Sequence, residues 1–381
     1  MALSFEQGPI RPPSEARSLL IRVTRNCPWN RCAFCPVYKG ARFSRRTVEE
    51  IKKDIDTVKE IVDTLKRLSW QGGFGGRIDR GLVEAVLQDE RYSESFRSVA
   101  LWLYYGGESA FLQDANSLVM KTPGLVEVVS YLKETFPSLQ RITSYARSST
   151  LARKSVEELR QLKAAGLNRI HVGLESGSDA VLEYVKKGVT AAQQIEGGRR
   201  VVAAGIELSE YVMPGLGGRR LSREHAVETA RVLNAIHPDF IRIRSLALPV
   251  GTGLREKWEQ GEFERPSDEE MVRELRLFIE HLDGIRSYVA SDHILNLLEE
   301  VEGRLPEDKS ALLAVIDRFL GLPEEERLLF QLGRRLGLFR NLSDREDPGL
   351  RAKAVQLKER LASQFKGDLE QAIRTLAERY I

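Results

Sequence analysis

Cys27, Cys32 and Cys35 are all the cysteines of this 381-residue chain, and they share one stretch, NCPWNRCAFCPVYKG (26–40). Thiolates bind soft and borderline metals, and three on one tight loop can surround a single centre. Three metal readings are open. A structural zinc closes its tetrahedron with a fourth Cys or His, and the five histidines (171, 225, 237, 281, 293) are all distant in sequence. The C-x4-C-x2-C spacing matches the first three ligands of a plant-type [2Fe–2S] centre, which needs a fourth cysteine that this chain lacks. A [4Fe–4S] cluster on three cysteines leaves one iron with an open position, useful only if something else binds there.

Other residues share that potential. Gly106-Gly107-Glu108 joins a carboxylate to glycines that expose backbone polar groups and admit a ligand closely. Glu175 ends an apolar run, where a carboxylate can either bind a ligand or cap the helix beginning near Ser178. Ser144 and Arg147 fall at the end of RITSYA (141–146), and PGLGG (214–218) leads into Arg219 and Arg220. QGGFGG (71–76) matches neither a Walker A nor a dinucleotide fingerprint and reads as a connection. His171 reads as packing, and His293 beside Asp292 as a helix-start residue.

The elements that must carry these residues alternate. SLLIRVT (18–24), VALWLYY (99–105), RITSYA (141–146), RIHVGLE (169–175), IELSEYVM (206–213) and FIRIRSLAL (240–248) read as six short strands. Between them run amphipathic helices. One opens at the capping box Thr47-x-x-Glu50 and runs to about Leu68; others cover 123–135 and 222–236. A further one begins at Ser155-x-x-Glu158 and stops at Gly166. Six strand–helix units predict a parallel sheet with helical crossovers, either a partial (βα)6 TIM-type barrel or a doubly wound flat sheet. Both gather the loops at C-terminal strand ends, where chemistry collects. The cysteines, GGE, Glu175 and PGLGG all follow strands in this reading.

Residues 1–17, with Pro9, Pro12 and Pro13, read as an irregular lead-in; 18–255 as the barrel; 256–381 as a helical C-terminal extension. Apolar residues make up 42% and charged residues 30%, with a net charge of +3, which suits a globular protein without strong attraction to polyanions. The N-terminus lacks a signal-peptide pattern, and no apolar run approaches membrane-spanning length. Three cysteines cannot pair completely, so a reducing cytoplasm is the expected setting.

Three cysteines after the first strand of a six-unit α/β barrel, Phe34 beside the last of them, and GGE together resemble the radical SAM superfamily. The phrase GLESGSDAVLEYVKKG is closest to the subgroup of tRNA methylthiotransferases and oxygen-independent coproporphyrinogen oxidases. The resemblance covers about residues 18–255. It implies a [4Fe–4S] cluster on Cys27, Cys32 and Cys35 whose open iron chelates S-adenosylmethionine (SAM). Reductive cleavage would release a 5′-deoxyadenosyl radical that abstracts hydrogen from an unactivated carbon. It also assigns SAM contacts to Phe34, Gly106, Gly107, Glu108 and Glu175, with Ser144, Arg147 and Arg219 as further contacts.

Two departures stand out. The usual spacing is C-x3-C-x2-C, so the loop carries one extra residue for a local turn to absorb. Ser109 replaces the proline that commonly follows GGE.

The resemblance names no catalytic residue of the chain itself, but it implies an external low-potential donor of the flavodoxin or ferredoxin type. No further cysteine exists for an auxiliary cluster, so methylthiotransferase-type sulfur insertion is disfavoured; the short stretch before Cys27 leads us to expect no fused B12-binding domain. A small molecule, lipid or peptide is the expected substrate ahead of RNA, since 256–381 is mixed in sign. The alternative is a zinc- or cluster-containing structural or regulatory protein without SAM cleavage.

Overall fold

In the computed structural model, which describes residues 3–378, the short apolar runs become a central sheet. Its strands are β1 (Leu19–Arg22), β2 (Ser109–Gln113), β3 (Arg141–Ala146), β4 (Leu167–Glu175), β5 (Glu207–Val212), β6 (Phe240–Ile243), β7 (Tyr288–Ala290) and β8 (Gly303–Arg304). They follow one another in sheet order as in the chain. β1–β2, β2–β3, β3–β4, β5–β6 and β6–β7 pair in parallel, and β8 closes antiparallel on β7. Parallel neighbours need a crossover, and helices supply it. They are α1 (Val48–Gln71), α2 (Arg80–Gln88), α3 (Glu94–Tyr104), α4 (Thr122–Thr135), α5 (Ser148–Leu151), α6 (Val156–Ala165), α7 (Asp179–Tyr184), α8 (Ala191–Ala203) and α9 (Gly218–Ile236). The result is the expected α/β architecture with a mostly parallel sheet.

Local signals explain the helix limits. Thr47 and Glu50 exchange the two hydrogen bonds of a capping box at the start of α1, as do Ser155 and Glu158 at α6. Each such cap contributes about 1 kcal/mol. Gly166 ends α6 at φ +121°, a conformation that penalises any Cβ.

Four expectations are corrected. Residues 99–105 are not a strand but the body of α3. Ser93 caps that helix by accepting from Phe96 N–H, and Phe96, Val99, Ala100 and Trp102 are its buried residues. A short apolar run fits strand and helix alike, and here helical spacing and the cap decide. The second strand is instead β2, where Ala110, Phe111 and Leu112 are fully buried; the latter two contribute about 1.5–3 kcal/mol each.

The sixth strand ends at Ile243 and does not continue to Leu248. Residues 256–381 are not all helical, because β7 and β8 extend the sheet past residue 255. β7 has only three residues, too few to show alternation in sequence. The remaining helices of that region are α10 (Gly253–Glu259), α11 (Asp268–Glu280), α12 (Lys309–Leu320), α13 (Glu324–Arg335), α14 (Pro348–Gln364) and α15 (Leu369–Ala377). The helix read to Ile381 includes 379–381, outside the described residues. Residues 291–297 form no helix, so His293 is not a helix-start residue.

The lead-in is irregular apart from a short 3-10 turn (Pro13–Glu15) but is built into the first strands. Gln113 of β2 accepts from Gly8 N–H at 2.8 Å and donates to the carbonyls of Gly8 and Ile10. Glu15, fully buried, lies 3.3 Å from His171 Nε2 and 3.2 Å from Arg141. Burial pushes the Glu15 carboxyl up, but hydrogen bonds from His171 and Ser18, with the charge of Arg141, outweigh it and hold it below the usual range.

The chain forms two compact units: Met1–Asn30, Val37–Val172 and Arg200–Leu208; and Arg31–Pro36, Gly173–Arg199 and Ser209–Ile381.

Candidate functional site

β1 delivers the chain to the cysteine stretch. Within the first unit, Thr24–Arg25 pairs antiparallel with Ser44–Arg45, so the chain leaves and returns side by side. Asn26 and Asn30 take left-handed backbones, φ +68° and +48°, which asparagine tolerates better than most residues. This bends Cys27-Pro28-Trp29-Asn30 into a turn in which Asn30 N–H points at Cys27 Sγ, 3.4 Å away. The Asn30 side-chain amide donates to the carbonyls of Tyr38 and Ala41.

Within the second unit, Ala33 is held on both sides. Its N–H donates to Val185 O at 2.8 Å, and its carbonyl accepts from Leu254 N–H at 2.9 Å. Ala33 belongs to an apolar cluster with Val185, Met213, Leu216, Leu248 and Leu254, and Phe34 packs against it. Cys35 N–H donates to Cys32 O at 3.4 Å. None of the three cysteines is in a disulfide; Cys32 is buried and the other two are partly exposed.

Beside Phe34 in this unit is an acid–base group. Lys187 Nζ sits 5.6 Å from the centre of the Phe34 ring and 3.0 Å from Glu175 Oε1. Gly173 makes room for that pair, since a Cβ there would fall 2.2 Å from Glu175 Oε1. Glu175 itself adopts φ +65°, and its carbonyl accepts from Met213 N–H at 3.0 Å, tying the ends of β4 and β5 together. It does not cap the next helix; Ser178 does, accepting from Val181 N–H. Glu210 on β5 is buried, and its Oε2 has no hydrogen-bond partner among the described residues. Burial pushes its carboxyl well above the ordinary range, Lys187 opposing and Glu175 reinforcing.

The PGLGG loop is fastened by a second network. Glu274 of α11 accepts from Gly215 N–H at 2.7 Å and from Ser222 Oγ at 2.5 Å, and lies 3.5 Å from His225 Nε2. His225 in turn reaches Met213 O at 3.0 Å and Ser176 Oγ at 2.8 Å. Burial raises the Glu274 carboxyl, with His225, Ser222 and Gly215 opposing.

The structure separates the remaining expected contacts. Gly106, Gly107 and Glu108 precede β2 rather than follow it. The two glycines turn the chain out of α3 at φ +105° and +65°, donating back to Leu103 and Trp102 carbonyls. Because β1 and β2 are parallel, GGE sits at the strand end opposite the one from which the cysteine stretch leaves. The five residues of β2 put roughly 13 Å between those ends. The argument that placed GGE with the cysteines therefore fails.

Ser144 is not at a strand exit: it lies inside β3 on the face of Ile142 and Ala146, its hydroxyl donating to Leu112 O at 3.2 Å. Arg147 caps α5 and stacks 5.4 Å from the Trp29 ring centre, within the first unit. Arg219 is half exposed and paired with Glu270 at 2.9 Å. Sequence reasoning missed Asp114, Lys187, Glu210 and Glu274. Asp114 was findable, as the first polar residue after β2 once that strand is placed; Glu274, on a distant helix, gave no signal.

Among the described residues, no three His, Cys, Asp or Glu side chains gather as ligands of one metal ion. That pattern suits single-ion sites, whereas thiolates on different irons of a cluster stand further apart. The stretch offers three thiols in no disulfide, with one N–H directed at the Cys27 sulfur, and soft sulfur donors of this kind fit a cluster.

The model of the radical SAM superfamily matches residues 21–233. The chain is 21% identical over 282 residues to a protein named tRNA uridine(34) acetyltransferase from Methanocaldococcus jannaschii, covering 70% of this chain and 49% of that one. It is 26% identical over 195 residues to 4′-phospho-dehydrooxetanocin synthase of Priestia megaterium, covering 50% of this chain and 22% of the relative. The chain thus spans about half the length, or less, of these curated relatives. Among solved structures, the archaeal Elp3 of Methanocaldococcus infernus with residues 1–46 deleted is similar at a TM-score of 0.39 and 17% identity. That match covers 49% of this chain and 48% of that one. Radical SAM proteins are enzymes that use a [4Fe–4S] cluster and SAM. With more than half of its length matched, this chain belongs to the radical SAM superfamily.

Proposed function

We propose that Cys27, Cys32 and Cys35 hold the cluster of this radical SAM enzyme, and that Glu175 and Phe34 border the SAM it binds. The observation that carries the reading is the turn at Asn30, whose N–H points at Cys27 Sγ in a segment that holds all three cysteines of the chain, none of them in a disulfide. When bound, the cluster supplies the electron that splits the SAM sulfonium and frees a radical able to take hydrogen from carbon. The chain's own residues do the rest. Ala33, pinned to Val185 and Leu254, orients the segment between Cys32 and Cys35. Packing of Phe34 against the apolar cluster keeps water from that segment. Glu175, held by Lys187, presents a carboxylate to the SAM ammonium.

An external low-potential donor of the flavodoxin or ferredoxin type would supply the electron. No helix of the described residues is long and apolar enough to cross a membrane, and cysteines kept out of disulfides suit a cytoplasmic setting. An enclosed small molecule, lipid or peptide is the first reading of the substrate. RNA is the second, favoured by the similarity to proteins named tRNA uridine(34) acetyltransferase.

The test is iron and sulfide analysis of anaerobically reconstituted protein beside a triple Cys→Ala variant, followed by SAM turnover with and without tRNA. Four irons per chain, lost in the variant, supports the ligand assignment; iron retained by the variant refutes it. Turnover stimulated by tRNA selects the RNA reading.

A further inference from the structure

The segment that actually follows β2 is Gln113-Asp114-Ala115-Asn116, and the Asp114 side chain is completely buried. Its Oδ2 accepts from Arg22 Nε and Nη2 at 3.0 and 2.6 Å and from the backbone N–H of Asn26 at 2.9 Å. Its Oδ1 accepts from the Tyr38 hydroxyl at 2.9 Å. Three of these donors share Oδ2 and one reaches Oδ1, so both oxygens of the buried carboxylate are engaged by the protein itself.

What it holds is informative. Asn26 is the residue before Cys27, and Tyr38 comes three residues after Cys35. One carboxylate thus ties down both ends of the stretch that contains every cysteine of the chain. The surroundings are shaped to it. A Cβ on Gly8 of the lead-in would fall 2.2 Å from Asp114 Oδ1, so only glycine lets that segment pass. Arg22, at the end of β1, also bonds Glu6 at 3.0 Å, which fixes the guanidinium that faces Asp114.

We propose that Asp114 is the positioning residue of the cysteine loop: by accepting from Asn26 and Tyr38 at once, its carboxylate presets the loop's two ends for the cluster. This rests on the reading of the loop as cluster-binding. An asparagine could not substitute. Its NH2 would face a donor, either the Tyr38 hydroxyl or the Arg22 and Asn26 N–H groups, and Arg22 would keep only Glu6 of its two counter-charges.

The experiment uses the full chain with Asp114→Asn, Tyr38→Phe and the double variant, reconstituted anaerobically. Cluster loss to an iron chelator is followed by absorbance. The account expects loss accelerated about tenfold or more in Asp114→Asn and a smaller acceleration in Tyr38→Phe. The double variant should be no faster than Asp114→Asn, because Tyr38 acts through Asp114.

The midpoint potential of the surviving cluster is the second readout, with Tyr38→Phe, which loosens the loop but keeps the Asp114 charge, as its control. It should rise in Asp114→Asn, since removing a nearby negative charge favours adding an electron. Loss within about twofold of wild type with an unchanged potential would overturn the proposal. If wild type assembles no four-iron cluster, the functional reading fails, and alkylation of Cys27 in the apoprotein decides this proposal alone. Faster alkylation in both single variants supports it, and unchanged rates overturn it. Tyr38→Phe, a deletion of one hydroxyl, keeps the test valid if Asp114→Asn does not fold.

Discussion

Replacing Glu210 by glutamine should stabilise this protein above acidic pH, by an amount that depends on pH in a calculable way. Glu210 is 1% exposed, and burial pushes its carboxyl well above the ordinary 4.5, with Glu175 adding to the effect and Lys187 opposing it. The unfolded chain releases that proton near the ordinary value. Between there and the raised folded value, the folded state carries one proton more than the unfolded state. Stability therefore falls as pH rises through that window, by about 1.4 kcal/mol per pH unit. It levels off once the folded carboxyl ionises.

Glutamine has nearly the shape of the protonated acid and cannot ionise, so Glu210→Gln lacks this slope. Above the ordinary carboxylate range the variant should gain steadily on wild type, by up to about 1.4 kcal/mol per pH unit, until the folded carboxyl ionises. Other titrating groups, Glu274 among them, are common to both proteins and cancel in the difference. Urea unfolding followed by circular dichroism at half-unit pH steps reads the gap directly. A gap that stays flat from pH 5 to 7 would show that the folded carboxyl ionises like the unfolded one, and the reasoning from burial would be wrong.

Other predictions concern separate parts of the molecule. His293 is pushed down to about 4 by burial and by Arg244, with Asp292 opposing. Below pH 6.5 the unfolded state takes up a proton that the folded state refuses, so stability is lost as pH falls towards 4, by about 3 kcal/mol in all. His293→Gln should remove that acid-side loss in denaturant titrations; an unchanged acid slope would contradict it. Glu274→Leu strips the acceptor from Gly215 N–H and Ser222 and the carboxylate from beside His225. It should cost about 3 kcal/mol in unfolding experiments and weaken SAM binding by calorimetry; unaltered SAM affinity would detach the PGLGG loop from the SAM site. Glu108→Gln should leave SAM turnover within about twofold of wild type, because GGE lies at the far end of β2; a collapse of activity would restore it to the site.

Much of this arrangement was legible in the chain itself. β3 appears at the residues its alternation marks, and the capping boxes at Thr47 and Ser155 start their helices where the spacing says. The main error came from VALWLYY. A seven-residue apolar run satisfies both periods, and only the Ser93 cap and the burial of Phe96 and Trp102 make it a helix. That one misreading carried GGE to the wrong end of the sheet and hid Asp114. Lys187, Glu210 and Glu274 were invisible because their partners come from distant elements, and sequence spacing records neighbours along a helix or strand only. β7 and β8 were too short to show a period.

The central claim is that the three cysteines arm this chain to cleave SAM. Anaerobically reconstituted protein should be reduced with dithionite, mixed with SAM and assayed for 5′-deoxyadenosine, beside Cys27→Ala, Cys32→Ala and Cys35→Ala variants. The account predicts 5′-deoxyadenosine from wild type and none above background from any single variant. Zinc in place of iron with no SAM binding, or undiminished cleavage by a cysteine variant, would contradict it.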